Sequence, residues 1–249
     1  MNKGEPNLDE YRHQLSRWAE AMAVGRCGDV DHLGESFTAE HVKLFTDGNF
    51  DKRFEKLRAQ ADLLDEVFED LGALVETYIR SVPLQAYDAR TMDCDRFLAW
   101  IEDRQGPTAE QRDYLACLKA QHAVEAAARV NRAGYLRFQE LRSLNGTSVA
   151  ALETNRMLSI HLNPTRVWAR FHTRALLDDE ADLPADVLLY ADRGDIRTAL
   201  LEAESRDLVR VLEQIGPSTL EEWAAAECDE AAVRELAVDL AELGVIALA

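Results

Sequence analysis

The sequence predicts an α+β fold, mainly α: an N-terminal helical bundle followed by a winged-helix-like module of a small antiparallel sheet and three helices. Three observations predict it. Apolar residues recur at helical spacing through the front half of the chain. The period changes to alternation around Leu158. Three capped helical stripes then lead to a short apolar run at the end.

Leu15, Trp18, Ala21, Met22 and Val24 make the first helical stripe, and Gly25, Gly28 and Gly34 interrupt it. Ser36–Val42 and Asn49–Phe54 read as two shorter helices separated by the turn dipeptide Asp47-Gly48. From Phe54 to Ile79 a long stripe (Leu57, Ala61, Leu64, Phe68, Leu71, Val75, Tyr78) reads as one helix, or a pair kinked around Gly72, ended by Pro83. Asp93 is placed to cap a helix carrying Phe97, Leu98, Trp100 and Ile101, which Gly106-Pro107 breaks. Thr108, with Glu110 and Gln111 behind it, starts the next helix, running to about Asn131 or beyond. Small residues at Ala123 and Ala126–Ala128 allow close helix approach, which suits a bundle.

The turn-forming run from Ser143 to Ser148 reads as a linker, dividing the chain into a helical domain, 1–145, and a second domain, 146–249. In the second, Leu158, Ile160 and Leu162 alternate with polar neighbours before Asn163-Pro164. Thr165–Thr173 alternates again, with Val167, Ala169 and Phe171 on one face and Arg166, Trp168, Arg170 and His172 on the other. An acidic loop, Asp178–Asp186, precedes the short buried strand Val187–Tyr190, and Arg193-Gly194-Asp195 turns into Ile196–Leu200. Helices are expected at Glu204–Ile215, at Leu220–Cys228 capped by Ser218, and at Glu230–Leu243 capped by Asp229. Gly244 then ends the last helix and Val245–Leu248 leaves as a strand.

The 249 residues carry a net charge of −18, the wrong sign for covering phosphates or an anionic leaflet, so neither nucleic acid nor a membrane is expected as a partner. With no signal-peptide core and no spanning apolar run, a cytoplasmic protein is expected, its four cysteines reduced and inert. No GxSxG, HExxH or phosphate-cradling glycine loop is present, which argues against a hydrolase. Cys27, His32, Glu35, Glu40 and His41 lie close in sequence but fit no zinc spacing, so no metal site is assigned.

The binding candidates lie in the second domain. Arg166, Trp168, Arg170, His172 and Arg174 read as an aromatic and cationic strip on an exposed sheet face, able to meet acidic or aromatic side chains of a peptide. Arg234 and Val238, on the last helix, read as groove residues flanking an added strand.

Two stretches carry a resemblance. Phe54–Leu57, Tyr78–Pro83, Asp95–Ile101 and Ala123–Arg129 resemble the helical domain of partner proteins of multinuclear non-haem iron-dependent oxidases. Those oxidases modify ribosomally made peptides, as in methanobactin and thiaglutamate biosynthesis. Leu162-Asn163-Pro164, Val187–Tyr190 before Arg193, Leu220–Glu222 and Gly244–Ile246 are similar to the precursor-recognition element of that family. The resemblance, from about Val42 onward, implies a non-catalytic partner subunit without a cofactor of its own. It implies a heterodimer with an oxidase that holds the iron, an interface including Trp100, and capture of a short leader peptide whose cysteine is presented for modification. Residues 1–40 have no counterpart in it. The rival readings are a winged-helix DNA-binding regulator, which the acidic residues of Glu230–Leu243 oppose, and an enzyme of unrecognised type.

Overall fold

The structure, a computed structural model, describes residues 9, 13, 16, 39–82, 91–152, 155, 157–178, 180–227 and 230–249. It is mainly helical with two three-stranded antiparallel sheets, and it divides into two compact units, Met1–Arg112 and Asp113–Ala249. The first predicted helix, around Leu15–Val24, lies outside the described residues apart from isolated positions.

In the first unit, α1 spans Ala39–Gln60 without a break at Asp47-Gly48, so the expected pair of helices is one. A turn dipeptide inside a helix costs roughly 1 kcal/mol against alanine, which a helix of this length absorbs. A Cβ at Gly48 meets nothing within 4 Å. Gly48→Ala is therefore expected to stabilise the fold by about 0.5–1 kcal/mol, read as a rise in the urea midpoint at unchanged slope.

The long stripe from Phe54 to Ile79, by contrast, is divided, between Gln60 and Leu71 rather than at Gly72. A 3₁₀ turn, Asp62–Glu66, follows α1, and α2 runs Leu71–Ser81. Local carboxylates set this break. Asp62 Oδ1 accepts from Leu63 N at 2.8 Å, and Asp70 Oδ1 accepts from Ala73 N at 2.8 Å as the cap of α2. The buried stripe survives because Leu57, Leu64, Leu71, Val75 and Tyr78 still face inward on both sides of the break.

Helix α3 is Asp93–Gln105, with Met92 at the cap position and Asp93 already helical. Instead of capping, Asp93 takes a bidentate pair of hydrogen bonds from Arg53, at 2.7 and 2.9 Å, and one from the Tyr78 hydroxyl at 2.8 Å. Arg53 also donates to Val82 O at 2.8 Å, so one half-buried ion pair ties α1, the end of α2 and the start of α3. Burial works to raise the Asp93 carboxyl, but Arg53, the Tyr78 hydroxyl and Arg96 together outweigh it and hold the group below its ordinary range.

Burial pushes the neighbouring Cys94 thiol up to about 12, with Asp95 and Asp93 adding to it, and pushes Cys117 up to about 11. Both are free and buried. Native protein at pH 8 is expected to leave Cys94 and Cys117 unalkylated by iodoacetamide, with labelling by mass spectrometry only after denaturation. Cys27 and Cys228 lie outside the described residues.

Gly106, in the left-handed region at φ 53°, ends α3. Helix α4, Ala109–Val130, opens on a reciprocal capping box: Gln111 N donates to Thr108 Oγ1 at 3.2 Å and Thr108 N donates to Gln111 Oε1 at 2.9 Å.

The second unit continues from α4 through α5, Arg132–Arg142, capped by Asn131. The stretch expected as a linker instead forms α6, Asn145–Ala151. Its first residue is bound at long range: Asn145 Nδ2 donates to Ala241 O, and Asn145 Oδ1 accepts from Leu248 N, both at 3.1 Å. Turn-forming residues here serve as a helix start.

Strands β1 (Ser159–Leu162), β2 (Val167–Phe171), β3 (Ala185–Asp192) and β4 (Asp195–Leu200) follow. After them come α7 (Ala203–Ile215), the two-residue β5 (Ser218–Thr219), α8 (Leu220–Glu227), α9 (Glu230–Leu243) and β6 (Ile246–Leu248). The cap of α8 is Thr219, not Ser218: its Oγ1 accepts from Glu222 N while Thr219 N donates to the Glu222 carboxylate. The expected cap of α9, Asp229, lies outside the described residues. One sheet has the order β5-β1-β6 and the other β2-β3-β4. Leu188, Tyr190 and Ala199 of the second sheet share one apolar core with Ile160, Ile246, Val209, Leu212, Trp223, Val233, Leu236 and Leu240.

Candidate functional site

An antiparallel ladder leaves every second residue of an outer strand with its N–H and C=O pointing away from the sheet. In β2-β3-β4 the register identifies which residues those are. Asp192 pairs with Asp195 across the two-residue turn Arg193-Gly194, whose φ values of 53° and 99° give the twist a tight hairpin needs. Arg197 and Ala199 accordingly bond to β3, and Ile196, Thr198 and Leu200 point outward. On the other side, the pairing Val167↔Leu189 and Ala169↔Val187 turns Trp168, Arg170 and His172 outward from β2.

Parts of the sheet borders are closed by the chain itself. At the end of β2 the buried Asp113 carboxylate accepts from His172 N at 2.9 Å, from Thr173 N at 2.7 Å and from Thr173 Oγ1 at 2.7 Å. In the first sheet, β6 is fully buried and its outward Leu248 N–H goes to Asn145. Its other outer strand, β5, is two residues long. Strand β4 differs. Thr198 and Leu200 are exposed, Ile196 is half-buried, and none of the three has a hydrogen-bond partner for its outward N–H among the described residues.

Of the strip expected to face solvent, Arg170, His172 and Arg174 are exposed, whereas Arg166 and Trp168 are half-buried. Trp168 packs against the apolar core under α7, and its Nε1 donates to the Glu213 carboxylate at 3.2 Å, which also accepts from Arg166 Nε at 2.7 Å. Arg210 lies over the Trp168 ring at 4.9 Å. Arg170 pairs with Asp186 at 3.1 Å, together with Arg206 at 3.4 Å and Arg210 at 3.8 Å. Arg174 donates to Ala181 O at 3.3 Å, and His172 is exposed beyond the end of β2. The alternation holds along β2, but Trp168 meets α7 because Glu213 and Arg210 supply matching partners 45 and 42 positions onward.

On α9, Arg234 pairs with Glu230 one turn back at 2.6 Å, and Val238 is half-buried against the core. In the first unit, Trp100 is half-buried, stacked on Phe97, edge-on to Tyr78, with Arg104 at 5.5 Å from its ring centre.

Where β4 ends, the chain opens a cleft of about 870 Å³ between the 178–186 loop and the start of α7. Leu200 stands at its mouth, 47% exposed, and Asp178, Glu180, Asp182, Asp186, Glu202 and Glu204 line it with Arg206. The sequence marks the acidic loop but not its juxtaposition with Glu202 and Glu204, which the β3-β4 hairpin creates.

Among the described residues, no group of three or more His, Cys, Asp or Glu side chains could hold a metal ion, and no helix is long and apolar enough to cross a membrane. Cys27, His32 and Glu35 lie outside those residues. No protein-family model, curated protein or solved structure matched this chain.

Proposed function

We propose that this chain is a non-catalytic, cytoplasmic partner subunit that binds a short precursor peptide as an added strand along β4 and presents its cysteine to a separate iron-dependent oxidase. The observation that carries the reading is the border of β4, where three outward N–H groups, at Ile196, Thr198 and Leu200, have no partner among the described residues, against two on β2, at Trp168 and Arg170, before Asp113 closes its end. Backbone pairing there supplies affinity without demanding a particular side chain at every position. The order helix, short strand, helix, helix, strand from α7 to β6 accords with a winged-helix arrangement, with β1 as the middle strand of the small sheet.

The peptide-modifying role follows the resemblance in Leu162–Pro164, Val187–Tyr190 and Gly244–Ile246. On this reading the chain contributes to rate by raising the effective concentration of the peptide at the oxidase. The first unit, with Trp100 and Arg104 at its surface, forms the contact with the enzyme. A DNA-reading role is opposed by α9, whose one guanidinium, Arg234, is paired with Glu230 among further acidic residues.

Co-expression with an iron-dependent oxidase and a small cysteine-containing peptide, sought among the neighbouring genes, tests the reading. A three-component complex is expected, and Thr198→Pro, which removes an outward N–H and leaves the ladder to β3 intact, releases the peptide but keeps the oxidase. A folded chain that co-purifies with neither contradicts it.

A further inference from the structure

We propose that the chain segment continuing past Leu200 from a strand paired on β4 is cationic, its lysine or arginine side chains entering the acid-lined cleft. This rests on the strand-addition reading and names the chemistry of its occupant. Three observations meet at this point. The outward N–H groups of Ile196, Thr198 and Leu200 ask for an extended backbone. Leu200, exposed at the end of that border, lines the cleft as well, so a strand paired along β4 runs directly into it.

The cleft sets six carboxylates against one guanidinium. Of these, Asp186 is already matched by Arg170, Arg206 and Arg210, whereas Asp178, Glu180, Asp182, Glu202 and Glu204 have no ion-pair partner among the described residues. An extended peptide with acidic residues at this end meets like charge on both walls. One with lysines or arginines meets unpaired carboxylates on the 178–186 loop and on the first turn of α7. Concavity adds to the effect, since field lines from both walls converge on a side chain between them.

A phage-displayed random dodecapeptide library, selected at low salt on the immobilised full-length chain, tests this. Binders are sorted by whether Thr198→Pro abolishes capture. In parallel, each binder is checked for added protection of the Thr198 and Leu200 amides in the unaltered chain, which needs no variant to fold. Border-dependent binders are expected to carry lysine or arginine clustered at one end. Their affinity is expected to fall roughly 5–10-fold in the triple variant Asp182→Asn, Glu202→Gln, Glu204→Gln, and by a similar factor at about 0.5 M salt. Border-dependent binders without a basic bias, or unaffected by the triple variant, overturn the cationic segment and leave strand addition standing. A selection that yields no border-dependent binder overturns both.

Discussion

Asn163→Ala is expected to destabilise the C-terminal unit by about 3–5 kcal/mol, a large share of the roughly 5–15 kcal/mol that holds a domain folded. Asn163 is fully buried and uses both ends of its amide. Nδ2 donates to Ala191 O at 2.9 Å and to Gly244 O at 3.3 Å, while Oδ1 accepts from Thr165 N at 3.0 Å and from Thr165 Oγ1 at 2.7 Å. Thr165 Oγ1 in turn accepts from Ala191 N at 2.9 Å. One side chain thus satisfies β3 where β2 has ended, and joins it to the turn between α9 and β6. Truncation leaves two carbonyls and an amide orphaned where water cannot reach. Thr165→Val removes only the hydroxyl and is expected to cost less, about 1–3 kcal/mol. Urea denaturation followed by near-ultraviolet circular dichroism checks the order of the two.

Gly244→Ala is expected to cost about 3–5 kcal/mol, from two sources that can be separated. Gly244 ends α9 at φ 86°, where a side chain is strained. A Cβ there also collides with the guanidinium of Arg142, which pairs with the buried Asp192. Asp192 is 3% exposed, and its other partner, Arg197 at 3.2 Å, is half in solvent. Displacing Arg142 leaves a buried carboxylate poorly compensated, so Arg142→Ala alone is expected to cost a similar amount, about 3–5 kcal/mol. The double variant is then expected to fall well short of the sum. Once the guanidinium is gone, alanine at 244 adds only its backbone strain, about 1–2 kcal/mol. Denaturation of the two single variants and the double variant supplies the cycle. Additive costs contradict the shared contact.

The parts of this fold legible in the sequence are those set by neighbours in the chain. Periodicity located α9 at Glu230–Leu243, and the glycines marked its stop at Gly244 and the hairpin turn at Arg193-Gly194. Where a local signal and a long-range partner compete, the reading goes astray. Asp93 has the chemistry of a cap but is taken by Arg53, 40 positions away. Asn145 and Gly146 have the chemistry of a linker but begin a helix anchored to Ala241 and Leu248, 96 and 103 positions away.

The candidate site suffers most from this. Alternation in Thr165–Thr173 identifies two faces without saying that α7 covers the one bearing Trp168. No local pattern tells an open sheet border from one closed by Asn145, because closure is decided by a residue 103 positions from the strand it seals. Strand β4 was legible as a strand; its free border was not.

Residue-resolved amide hydrogen exchange across Asp195–Leu200 of the unliganded protein tests the central claim most directly. Alternation is predicted: rapid exchange at Ile196, Thr198 and Leu200, slow exchange at Arg197 and Ala199, and slow exchange at Leu248 on the closed border of the other sheet. Uniform protection along β4 means that something already pairs with it, and contradicts the account.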